Sequence, residues 1–219
     1  MRIVVTAGPT REHLDPVRFL SNPSTGKMGF AIAAEAARRG HEVVLVAGPV
    51  ALKTPNRVQR VDVTSAREML AAVEGAVRTS KTSGTSRTVV IGTAAVADWR
   101  PAKCAAQKLK KGEMSGVLRL VRNPDILKSI AKTRGRKTED VRLVGFAAET
   151  NDVLKEAARK CREKGLSFIV ANDVTKKGSG FGTDTNKVTF VFPDGTMKRF
   201  PLMTKRMVAK RILDAVSRL

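Results

Sequence analysis

A strand-like run, Thr88 to Ile91, opens into Gly92-Thr-Ala-Ala-Val-Ala-Asp-Trp-Arg-Pro101. Small residues from Gly92 through Thr93 and Ala94 lead to a carboxylate, Asp98, and ten residues later to Lys108-Leu-Lys-Lys111. Gly, Ala and Thr let a ligand approach the backbone closely. In an open α/β sheet, ligands bind outside the carboxyl ends of the strands. A triphosphate needs several movable cations, and Lys is a compact one on a long stem. Lys108 and Lys110 share a side if the loop is extended. The same residues also fit a tight strand exit followed by a solvated basic run.

A second constellation is Phe19-Leu-Ser-Asn-Pro-Ser-Thr-Gly-Lys-Met-Gly29. Ser24, Thr25 and Gly26 precede a helical pattern whose free N–H groups and dipole attract anions. Ser24 and Thr25 can cap, Gly26 and Gly29 allow close approach, and Lys27 adds charge. An ordinary capped helix start is the plain alternative. Asn22 can donate and accept at once, so it can hold a carbonyl or acyl oxygen or simply stabilise the loop. Lys160 and Lys164 are four apart on a helical pattern. Like charges at that spacing repel unless an anion sits between them. Gly145-Phe-Ala-Ala-Glu-Thr150 is another small-residue strand exit, with Phe146 as core or as a stacking surface. No G-x-S-x-G elbow or P-loop is present, because Gly26-Lys27 is followed by Met28.

The elements that must position these residues follow from periodicity. Arg2–Thr6, Glu42–Ala47, Thr88–Ile91, Arg142–Phe146 and Ser167–Ala171 read as buried strands, with shorter ones at Val58–Val61 and Val117–Val121. Thr10 to Thr25 reads as a long loop. Helices are expected over Gly26–Arg39, from the Ser65-Ala-Arg-Glu68 capping box to Thr79, from Asn123 to Lys132, over Asn151–Lys164, and from Thr204 onward. Asn123 is the expected N-cap, with Pro124 at the first helical position and Asp125 in the first turn. Asp194-Gly195 signals a hairpin between Lys187–Phe192 and Met197–Phe200. Strands alternating with helices predict an α/β, Rossmann-like, three-layer fold. Its sheet is mostly parallel with helices on both faces, and the late hairpin forms an antiparallel edge. Residues 1–219 are expected to form one domain, with flexible loops near 79–86 and 101–116. The first turn, Ala7-Gly-Pro-Thr10, is not the glycine fingerprint of dinucleotide-binding folds, which counts against NAD or FAD.

Composition narrows the class. With 219 residues, 42% apolar and 28% charged, the chain can build a full core. Two cysteines and two histidines argue against a disulfide framework and a zinc site. No run is long enough to span a bilayer, and the N-terminal apolar stretch is too short for a signal-peptide core, so a cytoplasmic protein is expected. A net charge of +21 favours anionic partners. Pro101 to Asp140 holds eleven Lys or Arg against four acids. A polyanionic small ligand or nucleic acid fits that surplus, but 4% aromatic content with no Tyr leaves few stacking platforms.

These pieces together resemble one family. Thr6-Ala-Gly-Pro-Thr-Arg-Glu12, Asp15-Pro-Val-Arg-Phe19, Ser21-Asn22 and Gly26-Lys-Met-Gly29 come in its order. Ala94 to Asp98, Lys108 to Lys111, Asn123-Pro-Asp-Ile126, Gly145 to Thr150 and Ala171-Asn-Asp173 follow. The chain resembles phosphopantothenate–cysteine ligase, also called phosphopantothenoylcysteine synthetase, of coenzyme A biosynthesis. The resemblance implies a homodimer that uses CTP and magnesium (Mg2+), with 4′-phosphopantothenate and L-cysteine as substrates. The substrate carboxylate attacks the α-phosphate to give an acyl-cytidylate and pyrophosphate. The cysteine amine then displaces CMP. Positions matching the family's nucleotide site are Gly92, Thr93, Ala94, Asp98, Lys108, Asn123, Pro124, Asp125, Ile126, Phe146, Lys160 and Lys164. Asn22 matches the asparagine associated with the acyl intermediate, and Lys108 the lysine of a mobile loop that closes on the triphosphate. Ser24, Thr25, Gly26 and Lys27 are candidates for the substrate phosphate.

Many bacterial members are fused to an N-terminal flavin-dependent decarboxylase. Its absence here implies a stand-alone ligase with no FMN. Thr25 stands where a serine is commoner, Trp99 replaces a usual tyrosine, and residues 79–86 look inserted. Other branches use ATP. No membrane or nucleic-acid partner is expected. A basic nucleic-acid-binding α/β domain is the alternative, and it leaves the small-residue strand ends unexplained. A nucleotide-dependent oxidoreductase lacks its fingerprint.

Overall fold

The computed structural model describes residues 1–79, 87–113, 116–133, 141–149, 152–173, 178–180 and 182–219. The loop expected at 79–86 lies, apart from Thr79, outside the described residues, as do positions 114 and 115 of the loop expected at 101–116. The chain begins with β1 (Arg2–Ala7), β2 (Arg11–His13), β3 (Phe19–Ser21), α1 (Lys27–Arg38), β4 (Glu42–Ala47) and β5 (Gln59–Asp62). It continues with α2 (Ala66–Thr79), β6 (Thr88–Gly92), β7 (Trp99–Pro101), β8 (Leu120–Arg122), α3 (Ile126–Thr133) and β9 (Val141–Glu149). It then passes through α4 (Val153–Glu163), β10 (Phe168–Asp173), β11 (Thr185–Asn186), β12 (Val188–Val191), β13 (Met197–Arg199), β14 (Met203–Thr204) and α5 (Lys205–Val216).

Eight strands form one sheet in the order β13-β12-β10-β9-β6-β1-β4-β5. The six from β10 to β5 are parallel, and β12 and β13 extend the edge antiparallel. The parallel strands are runs of Val, Ile and Leu because both faces are covered. Alternation splits each strand between two cores. Ile3, Val5, Leu45 and Ile91 pack with Phe30 and Ile32 of α1 and Val208 and Ile212 of α5. Val4, Val44, Val90 and Leu143 pack with Met69 of α2, Ile130 of α3 and Ala157 of α4. From β1 the chain crosses to β4 and β5, then returns through α2 to β6 on the other side of β1. That reversal leaves a crevice at the carboxyl ends of β1 and β6.

Local chemistry sets the element ends. Gly26 at φ 75° opens α1, and Gly40 at φ 79° closes it. The capping box forms as expected, with Glu68 N–H donating to Ser65 Oγ and Thr64 N–H to Glu68 Oε2 at 2.9 Å. The late hairpin turns on Gly195 at φ 88°, with Asp194 Oδ1 accepting from Thr196 N–H at 2.9 Å. Buried Glu35 accepts from Arg38 and Arg39, and Arg39 also reaches Asp214, tying α1 to α5.

Two expectations need correction. Thr10 to Thr25 is not simply loop, because β2 and β3 pair there antiparallel, as β7 and β8 do further on. Asn123 is not the N-cap of α3. Asp125 is, accepting from Lys128 N–H at 3.0 Å. A cap must sit just before the first helical residue, and here that residue is Ile126 rather than Pro124.

Gly29 meets the sheet so closely that an added Cβ would lie 2.5 Å from Ala7 Cβ and 2.6 Å from Thr93 Oγ1. Around Gly75, inside α2, the same atom meets nothing within 4 Å. Gly29→Ala is therefore expected to destabilise by about 1–3 kcal/mol from overpacking, outweighing a helix-propensity gain of about 1 kcal/mol. Gly75→Ala should stabilise by up to about 1 kcal/mol. Urea unfolding of both variants checks the opposite signs. The Arg38 guanidinium, with Arg39, holds the Glu35 carboxyl down from 4.5 to about 2. Between those values the unfolded chain binds more protons, so stability falls as pH falls from about 4.5 towards 2. Glu35→Gln should flatten that acid limb in urea midpoints measured across the same window.

Candidate functional site

A cavity of about 370 Å³ opens outside the carboxyl ends of β1, β6, β9 and β10. It is bordered by residues from Asn22 to Gly29 entering α1, 92–98 leaving β6, 123–127 opening α3, and Gly180, Gly182 and Asn186 beside Lys205.

The wall from Gly92 to Asp98 is pinned to the exit of β1. Thr93 N–H and Oγ1 both donate to Thr6 C=O. Ala94 N–H donates to Thr6 Oγ1 at 3.2 Å, Ala95 N–H to Gly8 C=O at 2.9 Å, and Ala97 N–H to Thr10 Oγ1 at 3.0 Å. Gly92 is small for packing as well as access, since a Cβ there would meet Leu127 at 2.9 Å. Asp98 ends the wall with an exposed side chain.

At α1, left-handed Gly26 occupies the N-cap position and no side chain caps the helix. This corrects the capping role expected of Ser24 and Thr25. Ser24 Oγ accepts only from Gly26 N–H, at 3.4 Å, because the left-handed turn carries both hydroxyls away from the first-turn amides. Those amides face the cavity end with the positive pole of the helix. Lys27 is ion-paired with Asp184 at 2.7 Å and donates to Gly182 C=O at 3.0 Å. The Lys27 ammonium holds the Asp184 carboxyl below its usual range.

The start of α3 forms a second polar end. Asn123 Nδ2 donates to Ala97 C=O at 2.8 Å, and its Oδ1 accepts from Arg100 at 3.1 Å. Lys164 reaches across from α4 to Asp125 at 2.8 Å. Half-buried Phe146 lines the cavity between β9 and this end, so it presents a ring as well as filling core. Asn22 Nδ2 donates to Val96 C=O at 3.0 Å, which keeps the side chain at the cavity wall.

Of the expected site residues, Asn22, Ser24 to Lys27, Gly92 to Ala94, Asp98, Asn123 to Ile126, Phe146 and Lys164 line this one cavity. Lys160 and Lys108 do not. Lys160 is one helical turn before Lys164 and projects outside the lining. Lys108 is exposed on a loop held away from the cavity: Leu109 N–H donates to buried Asp15 at 3.2 Å and Arg18 to Leu109 C=O at 2.9 Å. Sequence reading missed Asn172, Asn186 and Lys205, which also line the cavity. A lysine at the first position of a helix, where the dipole repels cations, was the available signal for Lys205.

Known proteins place this arrangement. Over 219 residues the chain is 46% identical to the coenzyme A biosynthesis bifunctional protein CoaBC of Escherichia coli (strain K12), covering 99% of this chain and 51% of that protein. It is 44% identical over 218 residues to CoaBC of Bacillus subtilis (strain 168), with the same two coverages. The chain thus spans about half the length of the curated relatives it matches. The crystal structure of the C-terminal domain of CoaBC superposes with a TM-score of 0.78 at 44% identity, covering 98% of this chain and 93% of that one. A Cab2 mutant in complex with phosphopantothenate-cysteine shares the fold, with a TM-score of 0.77 at 16% identity and coverage of 99% and 85%. All of residues 1–219 match one family description. The chain belongs to the DNA/pantothenate metabolism flavoprotein C-terminal domain family.

Proposed function

We propose that residues 1–219 are a ligase that joins 4′-phosphopantothenate to L-cysteine with CTP. One observation carries this reading. A single cavity brings two helix N-termini, each with a lysine, to either border of a small-residue wall. That arrangement suits two phosphate-bearing substrates meeting at one reacting centre. Kinship with coenzyme A biosynthesis proteins, and a fold relative bound to phosphopantothenate-cysteine, support the choice of substrates.

In this reading a carboxylate oxygen of phosphopantothenate attacks the α-phosphorus of CTP. The bond to the β-phosphate breaks and pyrophosphate leaves with its electron pair. The cysteine amine then attacks the acyl carbon, the carbon–oxygen bond breaks, CMP departs, and the amine loses a proton. The protein's share is positioning and charge neutralisation. Gly92, Thr93 and Ala94 admit the nucleotide against the backbone, and Asp98 hydrogen-bonds the base or ribose. Asn123 to Ile126 and Lys164 meet its phosphates, with Phe146 beside them and Lys160 steering from outside. Asn22 holds the acyl oxygen, and Ser24 to Lys27 receive the substrate phosphate. Lys108 arrives on its loop. Asp125, the cavity-lining carboxylate at the start of α3, would hold magnesium together with the nucleotide phosphates. The ion would neutralise phosphate charge. No flavin takes part in this reaction.

A homodimer is part of the proposal. Phe19 on β3, Trp99 on β7, Leu120 on β8 and Leu118 just before it are 39–45% exposed. Exposed apolar side chains such as these mark an association surface. No helix among the described residues is long and apolar enough to cross a membrane, and a cytoplasmic setting suits a consumer of CTP.

Purified protein should release pyrophosphate from CTP only when phosphopantothenate is present, and should form CMP and product when cysteine is added. Replacing CTP by ATP tests the base. Asn22→Ala and Lys108→Ala are each expected to lower kcat about 100-fold or more. No pyrophosphate with either nucleotide from folded protein rules the ligase out. For the dimer, light scattering should give twice the chain mass, and Leu120→Lys should give a monomer. A monomeric parent protein would refute that surface.

A further inference from the structure

A second cavity, of about 220 Å³, lies at the antiparallel edge of the sheet and shares no lining residue with the first. Strand register builds its floor. Phe190 of β12 pairs with Lys198 of β13, so both side chains stand on one face of the sheet. Alternation puts Phe192 and Phe200 on that face too, and both pack with Phe190 in the same core. The Phe190 and Phe200 ring centroids are 4.7 Å apart, and Phe168 stands 5.7 Å from Phe192. The facing wall is α5, which offers Arg211, Ala215 and Arg218 at helical spacing. Arg39, just past α1, donates to Lys210 C=O at 3.1 Å and to Asp214 at 2.8 Å. Those bonds hold α5 against α1, and its outer flank leaves the aromatic face of the edge uncovered.

Charge at the mouth is one-sided. Lys198, Arg211 and Arg218 border the cavity with exposed side chains, and Asp214 is the single carboxylate side chain in the lining. Asp214 is taken by Arg39, and no ion pair among the described residues joins it to the three cations. The Lys198 ammonium instead sits 5.6 Å from the Phe200 ring centroid. An apolar floor under unmatched cations has the complementarity of an amphipathic anion. Size narrows the class. A dry apolar cavity of about 150 Å³ takes up benzene, and sites for drug-sized ligands begin at about 300 Å³. The space here lies between the two and suits one aromatic ring on a short chain. The floor carries no hydrogen-bonding side chain, so a bare phosphate gains nothing inside.

We propose that this cavity binds a small aromatic carboxylate. The ring lies inward, where Phe190, Phe192 and Phe200 offer faces and edges for tilted ring contacts. The carboxylate lies at the mouth, where Lys198 from the sheet and Arg211 from α5 give it charge-assisted hydrogen bonds. The proposal is independent of the ligase reading and needs no turnover to be tested.

The full chain is titrated with phenylpropionate, with its uncharged relative phenylpropanol and with inorganic phosphate, following the backbone amide resonances. Phenylpropionate should shift amides of β12, β13 and the last turns of α5, and the shifts should saturate. Phenylpropanol should bind there about 10-fold more weakly, and phosphate should leave these amides in place. Replacing both exposed cations, Lys198→Gln with Arg211→Gln, should weaken phenylpropionate about 10-fold and leave phenylpropanol unchanged. Ala215→Phe should fill the cavity and remove the binding of both compounds. Equal affinity for acid and alcohol would reveal an unselective apolar hole and overturn the proposal. Saturable shifts confined to the first cavity, or no saturable shift at all, would overturn it as well. If Ala215→Phe fails to fold, the double variant at the exposed cations decides.

Discussion

Thr6 is the point on which the site depends. Its carbonyl takes two donors from Thr93 and its hydroxyl takes the amide of Ala94. These bonds fold the segment leaving β6 back against the exit of β1, so the small-residue wall runs as an extra rung beyond the sheet. Gly29 then lets α1 settle against the same spot, 3.0 Å from Thr6 C=O to where a Cβ would be. A bulkier residue at Gly29, or an apolar one at Thr6, would separate the helix N-terminus from the wall. The cavity exists because only the two threonine hydroxyls and backbone stand between these segments.

Charge in the cavity is arranged as paired groups. Lys27 is matched with Asp184 and Lys164 with Asp125. Each pairing restrains a long side chain that would otherwise sample many rotamers. Lys205 is held instead by the carbonyls of Gly180 and Thr183. Lys27, Lys164 and Lys205 against Asp98 and Asp125 in the lining account for little of the +21 net charge. Nothing in the cavity requires it.

The long strands and helices were legible because each repeats its pattern for several residues. Glu42–Ala47 and the Ser65 capping box came through with their boundaries. The wall was legible because a run of small residues follows a buried strand, and Asn22 because it stands in a motif of the family the chain resembles. The three-residue strands β2, β3, β7 and β8 were not legible, since alternation over three positions carries almost no signal. Two cap-competent residues, Asn123 and Asp125, stand within one helical turn, and composition alone does not choose between them. The burial of Lys205 depends on a turn more than twenty positions earlier in the chain. Lys108 was expected at the nucleotide, but here it is exposed and outside the cavity lining, on a loop where Asp15 and Arg18 grip Leu109.

The outer rim of the sheet at β13 is only three residues long, and all three side chains are exposed, with Lys198 and Arg199 among them. An unpaired strand elsewhere recruits neighbouring chains into intermolecular sheets. Here the rim is short and cationic, so a second copy of the same rim is repelled from it. At that edge, growth of an intermolecular sheet is disfavoured by both length and charge.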